Sequence, residues 1–97
     1  MLSLERLRVL HAIATYGSVT AAADVLHVTT SAISQQMAKL EREAGQRLLE
    51  RSGRGVRLTD AAELLVTHAS RMLALAERAQ ADLEAHSGAV AGRLRLT

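Results

Sequence analysis

Apolar residues at helical spacing divide the first half of the chain into three short stretches, each closed by small or polar residues. Leu4, Leu7, Leu10, Ile13 and Ala14 line one side of a helix from about Ser3 to Tyr16, and Gly17 follows where a left-handed cap is expected. Ser18 is placed to cap a second helix whose Ala21, Ala22, Val25 and Leu26 are expected to face inward, the small alanines allowing close approach. His27-Val28 leaves a short connection to Thr29, the natural N-cap of a third helix that runs to about Ala44 and stops at Gly45. There Ile33, Met37 and Leu40 fall at i, i+4 and i+7, with Ala44 in the same arc. Ser31, Gln35, Ala38 and Arg42 lie opposite, with Ser34 on the flank and Thr30 at the exposed first turn.

The period then changes. In "QRLLERSGRGVRLT" two short extended arms flank a Gly-bearing turn, which predicts a small hairpin. Thr59 and Asp60 open a last helix reaching about His86, roughly 40 Å long at 1.5 Å per residue. Leu58, Leu65, Met72 and Ala79 recur along it every seven residues, and so do Ala62, Ala69, Ala76 and Leu83. Two such stripes predict packing against another helix. They extend beyond what three short helices can cover, so a partner chain is favoured over folding back onto the same domain. After Ser87-Gly88, Arg93-Leu94-Arg95-Leu96 alternates as a half-buried strand does. The expected fold is therefore mainly α: a winged helix-turn-helix over residues 1–58, a linker (dimerisation) helix over 59–87, and the start of a truncated domain or a tail over 88–97.

Composition narrows what such a fold can do. The chain is 48% hydrophobic but has no Phe or Trp and a single Tyr, so its core must be built from Leu, Ala, Val, Ile and Met. The lack of Cys excludes a disulfide framework and any cysteine-ligated metal. His11, His27, His68 and His86 are scattered, and no two have the i, i+4 spacing of a helical zinc site. With no Gly-rich phosphate loop and no nucleophile elbow, neither an enzyme nor a cofactor or metal is expected. Apolar runs are too short for a membrane span, and Glu5, Arg6, Arg8 and His11 interrupt any signal-like stretch, so the expected location is cytoplasmic.

The net charge of +2 is unevenly placed. Residues 1–57 hold eight Lys/Arg against five Asp/Glu, whereas residues 58–97 hold four against five. Arg51, Arg54 and Arg57 cluster around the hairpin turn, a local concentration suited to a polyanion.

The stretch "GSVTAAADVLHVTTSAISQQMAKLEREAGQRLLERSGRGVRLTDAAELL" resembles the N-terminal region of LysR-type transcriptional regulators. The shared pattern is a Gly/Ser-Phe-Thr-x-Ala-Ala start, a Ser-x-Ser recognition helix, Leu-Glu-x-x-Leu-Gly, Leu-Phe-x-Arg, and a Leu-Thr-x-x-Gly opening the linker helix. "GRLRL" is similar to the first strand of that family's effector-binding domain. Val19 and Leu49 stand where Phe is usual, Arg47 where Pro is common and Ala62 where Gly is frequent, all at core or turn positions.

The resemblance implies sequence-specific binding of double-stranded DNA by a dimer whose linker helices pair antiparallel on a pseudo-palindromic site. It also implies tetramers among full-length members and a small-molecule effector held by a domain absent from these residues. The base-reading positions coincide with Thr30, Ser31, Ser34 and Gln35. Gln bonds an adenine edge through two atoms, so Gln35, where many relatives carry Arg, suggests an adenine preference or a weaker direct readout. Expected phosphate contacts are Ser18, Thr20, Lys39, Arg42, Arg51, Arg54 and Arg57, with Arg54 at the hairpin tip suited to the minor groove. The expected dimer interface is Leu58, Ala62, Leu65, Ala69, Met72, Ala76, Ala79 and Leu83. The rival reading is a helical dimerisation module without DNA-binding activity.

Overall fold

Hydroxyl caps and glycine stops place the helix ends where the apolar periodicity breaks. The structure, a computed structural model, describes the backbone of residues 1–53 and 55–96, and side chains within that span as far as Gly88. Helix α1 (Leu4–Tyr16) starts after Ser3, whose Oγ accepts the Arg6 N–H, and ends at Gly17 with φ of 85°. Ser18 accepts the Ala21 N–H at 3.0 Å to open α2 (Val19–Leu26). His27 closes α2 in the left-handed region at φ 58°, turning the chain toward Thr29. Thr29 in turn accepts the Ala32 N–H at 3.0 Å to start α3 (Thr30–Ala44), which ends at Gly45 with φ of 70°. Strands β1 (Leu49–Ser52) and β2 (Gly55–Leu58) pair antiparallel, Leu49 opposite Leu58 and Ser52 opposite Gly55. Thr59 accepts the Ala62 N–H at 3.1 Å and opens α4 (Asp60–Leu96), where Asp60 and Glu63 complement the positive helix end.

The core lies among α1, α3 and the root of the hairpin. Leu7, Leu10, Ile33, Met37, Leu40 and Leu48 are each less than 2% exposed, and burial of such a side chain stabilises the fold by about 1.5–3 kcal/mol. Helix α2 needs no large side chain to join them. Its axis makes a 120° bend with α1, and Ala22 and Ala23 sit fully buried at the crossing. This shifts the inward face from the one predicted: Ala23 is buried, while Val25 lies beyond the crossing and is 44% exposed. On α1, Ala12 joins the buried side near Leu73 of α4, Val9 does so beside Leu26 and Ile33 of α2 and α3, and Leu4 is 41% exposed.

Helix α4 departs from expectation in two ways. Ala62 and Ala69 are both 0% exposed within the chain's own core, with Leu73 also buried, so neither alanine is open to a partner. The three share one face of α4, which packs chiefly on α1; part of the heptad pattern is thus satisfied inside the chain. The helix also continues past Ser87-Gly88 to Leu96, so the backbone of Arg93–Leu96 is helical and not a strand. Gly88 and Gly92 each cost the helix only about 1 kcal/mol, whereas a single strand leaves its ladder groups without a neighbour. Among the described residues, no single helix is long and apolar enough to cross a membrane.

Candidate nucleic-acid interface

Helix α3 presents two unlike sides. Ile33, Met37 and Leu40 are sealed in the core, which fixes the rotation of the helix and turns Thr30, Ser31, Ser34 and Gln35 outward. All four are exposed, and Thr29 has already taken the capping role, leaving the next hydroxyls unneeded for helix starting. Among the described residues, the Ser34 hydroxyl has no hydrogen-bond partner, so it does not bond the carbonyl one turn back. Lys39 and Arg42 are exposed farther along α3, at its C-terminal end. At the other edge, the Ser18 oxygen accepts the Ala21 N–H, which leaves its O–H free to donate, and Thr20 is exposed beside it. These side chains form an uncharged surface of donors and acceptors, of the kind that distinguishes base edges, with cations at its border.

The hairpin contributes less charge than its arginines suggest. Strand register places Arg51 opposite Val56 and Glu50 opposite Arg57, so Arg51 and Arg57 lie on opposite faces of the wing. Arg57 Nε donates to Glu50 Oε1 at 2.8 Å across the ladder, whereas Arg51 is exposed. Glu50 directly precedes the basic stretch in sequence, but only the register reveals its partner. Arg54, expected at the tip, lies outside the described residues.

Sequence reasoning missed a second set of groups, those that bind the interface elements to one another. Glu43 Oε1 accepts the Ser3 N–H at 3.2 Å and its Oε2 accepts from Arg6 Nη1 at 2.8 Å, joining the end of α3 to the start of α1. Glu41 Oε2 accepts the N–H groups of Leu48 and Leu49 at 2.8 and 3.2 Å. A signal was present: two carboxylates in the last turn of a helix oppose its dipole and call for compensating donors.

Of the expected dimer residues, Ala62 and Ala69 are buried inside the chain and the other six are half-buried or exposed. With Ala62 and Ala69 buried, the outward face of α4 carries Leu64 (66% exposed), Met72 (37%), Leu75 (69%) and Leu83 (60%). Leu64 and Leu75 were not predicted. Leu58, Leu65 and Ala76 are half-buried and Ala79 is exposed. Where this face meets the end of α3, Leu2, Ala44, Leu48, Leu64, Leu65 and His68 line an apolar groove of about 480 Å³.

Residues 4–63 match the family model described as bacterial regulatory helix-turn-helix protein, lysR family. The chain is 41% identical over 95 residues to the nitrogen assimilation regulatory protein nac of Escherichia coli (strain K12), covering 98% of this chain and 31% of that protein. It is also 41% identical over 96 residues to the HTH-type transcriptional regulator PtxR of Pseudomonas aeruginosa, covering 99% of this chain and 31% of the other. The chain thus spans about a third of the length of these relatives. Its fold is similar to the crystal structure of the CbnR DBD–DNA complex, with a TM-score of 0.80, 38% identity, and coverage of 89% of this chain and 99% of that one. A similar likeness holds to the BenM DBD/catB site 1 DNA complex, with a TM-score of 0.79, 30% identity, and coverage of 86% and 92%.

Proposed function

The chain belongs to the lysR family of bacterial regulatory helix-turn-helix proteins, and on that premise we propose that it is the DNA-binding part of a transcription regulator that reads a pseudo-palindromic site as a homodimer. The observation that carries this reading is the exposed, uncharged face of α3, Thr30, Ser31, Ser34 and Gln35, held outward by a fully buried opposite face. An α-helix fits the major groove, where hydroxyl and amide side chains bond base edges. Arg51, Lys39 and Arg42 supply phosphate contacts, with Ser18 and Thr20 donating at the start of α2. Arg57 contributes only when it leaves Glu50. Arg54 is assigned to the minor groove from sequence alone.

The homodimer uses the outward face of α4, with Leu64, Met72, Leu75 and Leu83 replacing the buried Ala62 and Ala69 of the sequence-based set. The likeness to DNA-binding domains solved with DNA supports this reading over a module that only dimerises, which leaves the front of α3 without a purpose. In the full-length protein, the longer relatives suggest a further effector-binding region, a small-molecule effector and higher assembly, in a cytoplasmic protein with no catalytic role.

The deciding experiment is selection of bound sequences from random double-stranded DNA, followed by footprinting on the winning site. Recovery of a two-fold site with A·T-rich positions under the reading helix is the expected result. A chain that enriches no sequence above background overturns the reading.

A further inference from the structure

The wing has little of its own to hold it in place. Its strands pair with each other, and past Leu49 and Leu58 at its root the described side chains are exposed or only half-buried. On the α3 side, what fixes its angle is concentrated on one residue of the reading helix. A single oxygen of Glu41 accepts two consecutive backbone N–H groups, from Leu48 at 2.8 Å and Leu49 at 3.2 Å, where β1 begins. The Glu41 backbone carbonyl accepts from Gly45 and Gln46, so the same residue holds both ends of the turn that joins α3 to the wing. Among the described residues, no other side-chain hydrogen bond joins α3 to the hairpin.

The opposite side of the root is held by Thr59, whose N–H donates to the Leu48 carbonyl at 3.0 Å and whose hydroxyl donates to the Arg47 carbonyl at 2.7 Å. Leu48 is thereby pinned three ways: its N–H by Glu41, its carbonyl by Thr59, and its side chain by burial at 1% exposure. A bond to a carboxylate is shorter and about twice as strong as a neutral one, and here the acceptor sits on the very helix whose front reads bases.

We propose that Glu41 is a positioning residue of the DNA interface. It touches no DNA; it holds the wing at a fixed angle to α3 so that base readout by Gln35 and its neighbours and phosphate binding by Arg51 occur together. This rests on the DNA-binding reading above. Without the clamp the wing keeps only the Thr59 bonds and the buried Leu48 at its root, its angle to α3 loosens, and its phosphate binding is uncoupled from the reading helix, while the helix still docks.

The test uses the full chain and a DNA site enriched by it, comparing wild type, Glu41→Ala, Glu41→Gln, Arg51→Ala and the Glu41→Ala/Arg51→Ala double variant over a range of salt. Failure of the wild type to bind any site overturns the DNA-binding reading itself, and the proposal with it. With a binding wild type, Glu41→Ala is expected to weaken affinity about tenfold and to reduce the salt slope by about 0.9 for each phosphate that the wing no longer neutralises. Glu41→Gln, which keeps an acceptor oxygen, recovers most of both. The double variant binds little worse than Glu41→Ala alone, because Arg51 is already disengaged. If Glu41→Ala does not fold, by helix content and melting, Glu41→Asp keeps the charge but shortens the reach and is scored in the same way. Weakened binding with an unchanged salt slope and effects additive with Arg51→Ala would mark a general stability role and overturn the proposal, as would unchanged binding.

Discussion

Gln35 is the residue most exposed to a direct trial of base preference. It has no hydrogen-bond partner among the described residues and faces outward beside Ser31 and Ser34. Gln35→Arg is expected to move the preferred base at one position in each half-site from adenine toward guanine, read by repeating the DNA selection; an unaltered profile removes Gln35 from direct readout. The two described wing arginines should separate. Arg51→Ala should lower the magnitude of the salt slope by about 0.9 per subunit, and Arg57→Ala by distinctly less, because Arg57 is already shared with Glu50 at 2.8 Å. The hydroxyl and amide front was legible from sequence because three buried residues at fixed spacing dictate where the remainder point. The Glu50–Arg57 pair was not, since it depends on strand register, and neither was the Glu41 clamp, which joins a helix to a loop whose path the periodicity does not specify.

At the scale of elements, α4 shows how one helix can answer to two neighbours. The sequence displayed its heptad stripes openly, but a stripe tells only that a face is covered, not by whom. Structure buries Ala62, Ala69 and Leu73 inside the chain, on a helix that packs chiefly on α1, and leaves Leu64, Met72, Leu75 and Leu83 outside. Two substitutions test that division. Ala69→Leu forces extra volume into a site with no exposure and should destabilise each chain by about 1–3 kcal/mol, seen as a lower melting temperature in thermal scans. Leu75→Glu should leave the helix-turn-helix folded, with its near-native helix content, yet shift the species observed in sedimentation from dimer to monomer. A dimer that persists through Leu75→Glu moves the interface elsewhere. The three short helices were predictable because each carries its own caps, and the hairpin because a Gly-bearing turn separates two extended arms. The continuation to Leu96 was not, because the alternation of Arg93–Leu96 reads equally well as a strand when its neighbours are unknown.

The molecule measures 65 × 25 × 19 Å, a small head with one long projecting helix. A dimer built on that projection presents two reading heads, so its salt dependence should be the sum of both. Leu75→Glu is accordingly expected to reduce the salt slope by about half, measured by titrating DNA binding at several ionic strengths. The seating of α4 on α1, with Ala62, Ala69 and Leu73 buried, has a mechanical meaning as well. Two buried alanines put little side-chain bulk into the joint, while the part of α4 beyond Leu73, where Ala76 alone among the described side chains is half-buried, extends about 35 Å at 1.5 Å per residue. Such an arm converts angle into reach. A tilt of about 10° at its root displaces the far end by about 6 Å, just under the rise of two base pairs on a duplex that advances about 34 Å in ten.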